Sequence, residues 1–129
     1  AEDVGVAVLK FKSGALGVIE ASTTIYPENL EETLAIFGEK GTVVLGGIAV
    51  NKIETWKFAD SQEENEDLKK HQQDVPNVYG FGHNALIEDF IQAVINNRNP
   101  YIDGREGKKA LAIILGIYDS VRSGEEITL

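Results

Sequence analysis

The feature that most constrains this chain is a change in the spacing of its apolar residues. Through the first 58 residues, apolar side chains alternate with polar ones in short runs separated by glycine-containing turns. That pattern is typical of β-strands joined as hairpins. From residue 86 onward, apolar residues recur every three or four positions, as on one face of a helix. Strands followed by helices predict an α+β fold.

The strand half is predicted to be an antiparallel meander with short turns. Ser13-Gly14 makes the first turn, the GEKG segment at 38–41 makes a second, and Gly46-Gly47 makes a third. The turns delimit five predicted strands, at residues 3–12, 15–24, 31–38, 42–45 and 48–58. We therefore expect an open, mostly antiparallel meander sheet.

Two C-terminal helices are expected to pack on one face of this sheet. The first carries an apolar stripe and ends at Asn99-Pro100. The second opens at Asp103, which can cap it with Glu106 three residues on, and closes at Gly124. The predicted buried stripes are Leu86, Ile87, Phe90, Ile91, Val94 and Ile95 in the first helix, and Ala110, Leu111, Ile114, Leu115, Tyr118 and Val121 in the second.

The strands also carry apolar residues on the side that two helices would leave open. Leu9 and Phe11 lie opposite the face formed by Val4, Val6 and Val8 in the first strand. An apolar second face favours contact with another protein surface. We therefore expect a homo-oligomer formed through the open sheet face.

Composition excludes several classes of partner and of site. Twelve basic and 21 acidic residues give a net charge of −9, which opposes phosphate backbones and anionic lipid, so we expect neither nucleic acid nor a membrane as partner. The chain has no cysteine, so it has no disulfide, thiol nucleophile or thiolate metal site. No basic segment precedes an apolar leader, and we expect a cytoplasmic protein.

No cofactor or metal motif is recognisable. The glycine patterns GALG, GEKG and GFG lack the βαβ setting of a dinucleotide fingerprint. The histidines lack metal-ligand spacing, and the acidic run at 63–67 lacks the order of a calcium loop. The polar segment at 60–79 is compatible with a lid, an interface arm or disorder, and His71 within it is predicted to be solvated.

His83 is the residue with the clearest chemical potential. It follows Gly80 and Gly82 and precedes the first apolar helix. One interpretation is a structural residue in a helical first turn. The other is a polar group at a loop-to-helix junction, where an imidazole can hydrogen-bond a substrate hydroxyl or exchange a proton with it.

Four segments together resemble the C-terminal domain of the Gfo/Idh/MocA family, the glucose–fructose oxidoreductase and inositol dehydrogenase family. They are F-x-x-G-A-L-G-x-I-E-A-S, F-G-E-K-G-T, G-H-x-x-x-I-x-D-F and the D-G-x-E-G-x-K-A-L block. The resemblance covers nearly the whole chain and is weakest at residues 60–79. It implies a two-domain NAD(P)-dependent oxidoreductase acting on a sugar, a cyclitol or a derivative.

The same resemblance implies which functions this chain lacks. The family's glycine-rich nucleotide loop, its Glu-Lys-Pro segment and its Asp-x-x-x-His region have no counterpart here. Residues 1–129 are then a single C-terminal domain fragment that shapes the substrate pocket and forms oligomers. NAD or NADP would be bound by an N-terminal domain of the parent, no catalytic residue is expected in this chain, and the fragment alone is expected to be inactive.

Three residues are candidates for substrate contact by this resemblance. His83 matches the family's Gly-His at the entry of a helix near the substrate, in a supporting role. Tyr26 and Tyr79 are further candidates, since tyrosine offers an apolar ring with a polar tip. Two alternatives stay open: a non-catalytic module for sheet-mediated assembly, and a small-molecule binding module.

Overall fold

The computed structural model describes residues 2–60, 72 and 74–129 and confirms the α+β class. His71 and most of the polar segment at 60–79 lie outside the described residues. The described elements are β1 (Val4–Lys10), β2 (Leu16–Ser22), β3 (Leu34–Gly38), β4 (Gly41–Gly46), β5 (Lys52–Phe58), α1 (Gly82–Ile95) and α2 (Gly104–Ser123). All strand pairs are antiparallel, and the strands form two open sheets, β1-β2 and β3-β4-β5.

The β1–β2 hairpin follows its sequence pattern closely. Its register pairs Val4 with Ser22 and Lys10 with Leu16. Gly14 has φ of 90° in the turn, where its N–H donates to the Phe11 carbonyl at 2.9 Å. A left-handed turn residue favours glycine because it has no Cβ, so the predicted Ser13-Gly14 turn is confirmed.

The second sheet contains two strands whose predicted starts are wrong, and β3 begins at Leu34 and not at residue 31. Gly38 pairs with Gly41 across the predicted two-residue turn, but β5 begins at Lys52 and not at residue 48. The backbone turns left-handed at Gly47, with φ of 90°, and again at Val50, with φ of 51°. Positive φ values are incompatible with a continuing strand, so residues 48–51 form a turn.

The described chain divides into two compact units. One comprises Ala1–Thr24 with Ala85–Leu129, and the other comprises Ile25–Asn84. The first unit contains the β1–β2 hairpin and nearly all of both helices, and the second contains the β3–β5 sheet and the loop that leads into α1. That residues 1–129 form a single domain fragment stays a prediction.

Both predicted ends of α2 are confirmed. The Asp103 carboxylate accepts hydrogen bonds from the N–H groups of Arg105 and Glu106, at 2.8 and 3.1 Å. Gly124 follows the helix with φ of 73° and donates its N–H to the Ser120 carbonyl at 2.8 Å. These contacts satisfy backbone groups that a helix leaves without partners at its ends.

A carboxylate on α1 holds the connection between the helices. Asp89 accepts from the Arg98 guanidinium at 2.7 Å and from the Tyr101 N–H at 2.6 Å. The Tyr101 N–H and the Arg98 side chain together lower the pKa of Asp89 from its ordinary value. The sequence places this residue only on the polar side of its helix, so its anchoring role emerges from the structure.

Burial is the main departure from the sequence prediction. Among the described residues, Ala93 is the buried apolar side chain, at 2% exposure. The apolar stripes of both helices form as predicted but stay exposed, because no element among the described residues covers them. Within that same part of the chain, no helix has the length and apolarity needed to cross a membrane.

Candidate functional site

A small cleft in the Ile25–Asn84 unit is the concave feature that contains a predicted site residue. Its volume is about 280 Å³, close to the lower end of small-molecule sites, so it has room for a single ring and not for a dinucleotide. It is lined by Ala49, Asn51, Val75, Tyr79, Gly80, Phe81 and Gly82. One wall is thus the β4–β5 turn, and the other is the loop before α1.

The loop wall is held by its own backbone. Asn77 accepts the Tyr79 N–H through its side-chain oxygen at 3.0 Å and the Gly80 N–H through its carbonyl at 3.2 Å. Gly80 has φ of 55°, and a Cβ there would lie 3.5 Å from the Ala49 Cβ. That distance is an ordinary van der Waals contact, so glycine is favoured at position 80 by its left-handed conformation and not by lack of space.

The turn wall contains an unusual backbone conformation. Val50 has φ of 51°, a region that β-branched residues rarely occupy because of steric strain. The side-chain oxygen of Asn51 accepts the Ala49 N–H at 3.2 Å, and the Gly47 carbonyl accepts the Glu32 N–H at 2.7 Å. These hydrogen bonds hold the turn in the conformation that presents Ala49 and Asn51 to the cleft.

Two of the three predicted site residues lie together beside this cleft. The rings of Tyr79 and His83 meet edge to face, with centroids 6.1 Å apart and planes at 68°. Tyr79 is 72% exposed, and His83 is exposed as well. Among the described residues, no group hydrogen-bonds the imidazole of His83 or the hydroxyl of Tyr79. Both polar groups can therefore donate to or accept from a bound molecule.

Tyr26 belongs to the same unit but not to this cluster. It is 92% exposed, and within the described residues no contact joins it to Tyr79 or His83. It precedes Pro27 through a cis peptide bond in the loop that follows β2. Its role as a substrate contact stays a prediction.

Two cleft residues were missed at the sequence level. Asn51 falls within the predicted strand at 48–58, although the preceding Gly46-Gly47 pair marks the turn that presents it. Phe81 enters the sequence prediction only as the middle residue of the GFG pattern. A bulky aromatic residue next to a glycine just before a helix is a usable signal, since glycine lets the backbone turn left-handed there, as it does at Gly80.

The described residues do not fit a nicotinamide cofactor. Phosphate-binding glycines lie between a parallel strand and a helix, whereas Gly14 and Gly47 lie in turns after antiparallel strands and Gly124 ends a helix. Gly80 precedes α1, but the described residues immediately before it form a loop and not a parallel strand. Nor does that part of the chain bring three or more His, Cys, Asp or Glu residues together as a metal site.

Comparison with known proteins assigns the chain to a protein family. The family model described as the oxidoreductase family, C-terminal alpha/beta domain, matches residues 1–129. The chain belongs to the Gfo/Idh/MocA oxidoreductase family. A curated relative, the myo-inositol 2-dehydrogenase of Thermotoga maritima, is 31% identical over 125 residues, which are 96% of this chain and 34% of the relative.

Two solved structures match this chain in fold, and their sequence identity to it is higher than that of the curated relative. The WlbA dehydrogenase from Bordetella pertussis, crystallised with NADH and UDP-GlcNAcA, matches with a TM-score of 0.89 and 43% identity, over 100% of this chain and 37% of that one. The WlbA enzyme from Chromobacterium violaceum, with the same ligands, matches at 0.83 and 38% identity, over 99% of this chain and 35% of that one. This Gfo/Idh/MocA chain thus spans about a third of the length of its relatives.

The assignment confirms the predicted family and the oxidoreductase class of its members. The relatives are dehydrogenases, and the solved neighbours bind NADH. The names of these relatives include a cyclitol and a nucleotide sugar, in line with the predicted class of sugar-like substrates.

Proposed function

We propose that this chain is the substrate-binding and oligomer-forming domain of an NAD-dependent dehydrogenase whose substrate is a nucleotide sugar. The observation that carries the proposal is the 43% identity, over the whole chain, to a dehydrogenase in complex with NADH and UDP-GlcNAcA. The myo-inositol 2-dehydrogenase is less similar, at 31% identity. We therefore favour UDP-GlcNAcA, or a closely related nucleotide sugar, over a free cyclitol.

Within this function, the cleft contributes part of the substrate pocket. His83 lies at the start of α1, and its ring meets that of Tyr79 at the edge of the cleft. An imidazole and a phenol to which no described residue forms a hydrogen bond can hydrogen-bond sugar hydroxyl or carboxylate oxygens. We assign both residues to substrate binding and not to proton transfer. Tyr26 is retained as a third, separate candidate contact.

The redox chemistry is assigned to the rest of the parent protein. The described residues do not fit NAD or NADP, so we place the cofactor and the catalytic groups on an N-terminal domain. The isolated chain is accordingly expected to be inactive. Separately, we expect the parent to be cytoplasmic. The choice between NAD and NADP follows the neighbours, which bind NADH.

Self-association is the second part of the proposal. Val4, Val6 and Val8 of β1 lie on the same face as Leu16 and Val18 of β2, because directly paired residues of antiparallel strands share a face. All five are exposed, between 58% and 73%. We call these five residues the valine face. It is opposite the side of Leu9 and Phe11 that the sequence predicted to be open, and Leu9 is half-buried. A contiguous apolar patch of this kind favours a protein partner, and we propose a second copy of the parent.

The enzymatic part is tested with the parent protein, this chain together with its upstream sequence. Absorbance of reduced cofactor is followed after mixing the parent with NAD or NADP and either UDP-GlcNAcA or myo-inositol. We expect reduction of NAD with UDP-GlcNAcA and little with myo-inositol. The reverse preference would replace the nucleotide sugar by a cyclitol, and no reduction with either would contradict the proposed function.

A further inference from the structure

Two aromatic residues line the cleft, Tyr79 and Phe81. Phe81 has no role in the proposed function so far. Its side chain is 48% exposed although it is fully apolar. Its carbonyl accepts the Asn84 N–H at 3.2 Å, at the entry to α1, so its backbone is fixed where the helix begins. The other four phenylalanines of the chain are exposed as well, between 39% and 78%, so the feature that sets Phe81 apart is its fixed position on a cleft wall.

The surrounding loop places a second aromatic residue beside it. Tyr79 and Phe81 flank Gly80, and all three line the cleft. At Gly80, a Cβ would have Ala49 at 3.5 Å and Val75 at 3.9 Å, so the backbone itself is close to the opposite wall. The cleft therefore presents aromatic and small apolar groups, with Asn51 as a polar group on its other side.

Aromatic rings combined with a few polar groups are the usual composition of a small-molecule site. Since an aromatic face packs well against the apolar face of another ring, we propose that Phe81, together with Tyr79, forms a platform for a ring of the substrate. Phe81 is thus a further substrate-positioning residue. This inference rests on the proposed function and names the part of the cleft that holds the ring.

The test uses the parent protein with NAD and UDP-GlcNAcA, comparing Phe81→Leu and Phe81→Tyr with the unsubstituted enzyme. Leucine keeps an apolar side chain but removes the ring, whereas tyrosine keeps the ring. We expect Phe81→Leu to raise KM about three- to tenfold with kcat little changed, as for a lost stacking contact. Phe81→Tyr should leave KM close to that of the unsubstituted enzyme. The control is Phe37→Leu, at an exposed phenylalanine of β3 outside the cleft.

The ring can be the nucleobase or the sugar, and inhibition by UDP distinguishes them. If Phe81→Leu weakens UDP inhibition in parallel with KM, the platform holds the base; if UDP inhibition is unchanged while KM rises, it holds the sugar. An active enzyme whose KM is unaffected by Phe81→Leu, or is raised equally by Phe37→Leu, overturns the platform. An unsubstituted parent without activity would instead contradict the proposed function. Circular dichroism of each variant checks that it is folded.

Discussion

The valine face and the cleft are two exposed surfaces of opposite character, one in each compact unit. The valine face lies on an extended hairpin with regular register and presents aliphatic side chains, with Lys10 and Glu20 among them. The cleft lies between a left-handed turn and a glycine-containing loop, and presents two aromatic side chains and one amide. An exposed apolar sheet face suits a protein surface, whereas a cleft with a few polar groups suits a small molecule.

The proposed assembly role and the proposed substrate-binding role depend on different physical properties of one chain. The valine face needs only strand alternation, which any regular hairpin supplies. The cleft needs specific backbone conformations at Val50 and Gly80, each stabilised by neighbouring hydrogen bonds. If the two surfaces have separate functions, a substitution in one should leave the function of the other intact.

The largest expected effect is on assembly. Val8→Glu places a carboxylate in the centre of the valine face, and an unpaired charge is costly to bury in an apolar interface. We expect the association constant of the parent to fall by at least about a hundredfold, measured by sedimentation equilibrium. Asn29→Glu, which adds the same charge in an exposed loop, is the control. A monomeric unsubstituted parent at high micromolar concentration, or a Val8→Glu variant that associates normally, would remove the assembly role.

The second prediction concerns the cleft and its histidine. His83→Ala in the parent should raise KM about three- to tenfold, the value of one neutral hydrogen bond, while kcat changes less. Steady-state kinetics with UDP-GlcNAcA measure both, and the sedimentation behaviour should not change. His83→Gln, which keeps a donor and an acceptor, should recover part of the binding. A fall in kcat of several orders of magnitude would make His83 catalytic and contradict the binding role.

A third prediction uses the backbone conformation at Val50. Asparagine tolerates a left-handed conformation better than a β-branched residue does, so Val50→Asn should raise the free energy of unfolding by about 1 kcal/mol. Chemical denaturation of the chain measures this change. Val50→Thr keeps the β-branch and should bring no gain. Equal stability of Val50→Asn and the unsubstituted chain would show that the turn is unstrained.

The smallest effect is the pH dependence of the unit that carries the valine face. Because its hydrogen bonds lower the pKa of Asp89 in the folded state, this carboxylate stabilises the fold above its unfolded pKa. That contribution is lost as pH falls through the lower folded value. Asp89→Asn should therefore flatten the decline in stability below about pH 4, measured by thermal unfolding across pH. An unchanged pH profile would show that the Asp89 contacts with Arg98 and Tyr101 add nothing to stability.

Regular elements were predictable because their signals are local. Alternation and turn glycines indicated the strands, and Asp103 and Gly124 marked the ends of α2 within a residue. The β4–β5 turn was not predictable, since Val50 favours strand by propensity and adopts a left-handed conformation only in its structural context. Nor did the apolar stripes predict exposure, because periodicity shows which side chains share a face but not what covers that face.

The candidate site was predictable in part for the same reason. His83 and Tyr79 were identified from their position before α1 and from the family resemblance, and the structure brings their rings together. Asn51 comes from a turn about thirty residues earlier in the chain, and only tertiary structure places it on the other wall of the cleft. Non-local walls of this kind leave no periodic trace in a sequence.

The most direct test of two separate surfaces is amide hydrogen exchange of the parent, with NAD present, before and after addition of UDP-GlcNAcA. We predict slower exchange in peptides covering residues 47–51 and 75–84 when the nucleotide sugar binds, and no change in peptides covering β1 and β2. Protection confined to β1 and β2, or bound substrate with unchanged exchange at both walls of the cleft, would contradict the assignment of substrate binding to the cleft.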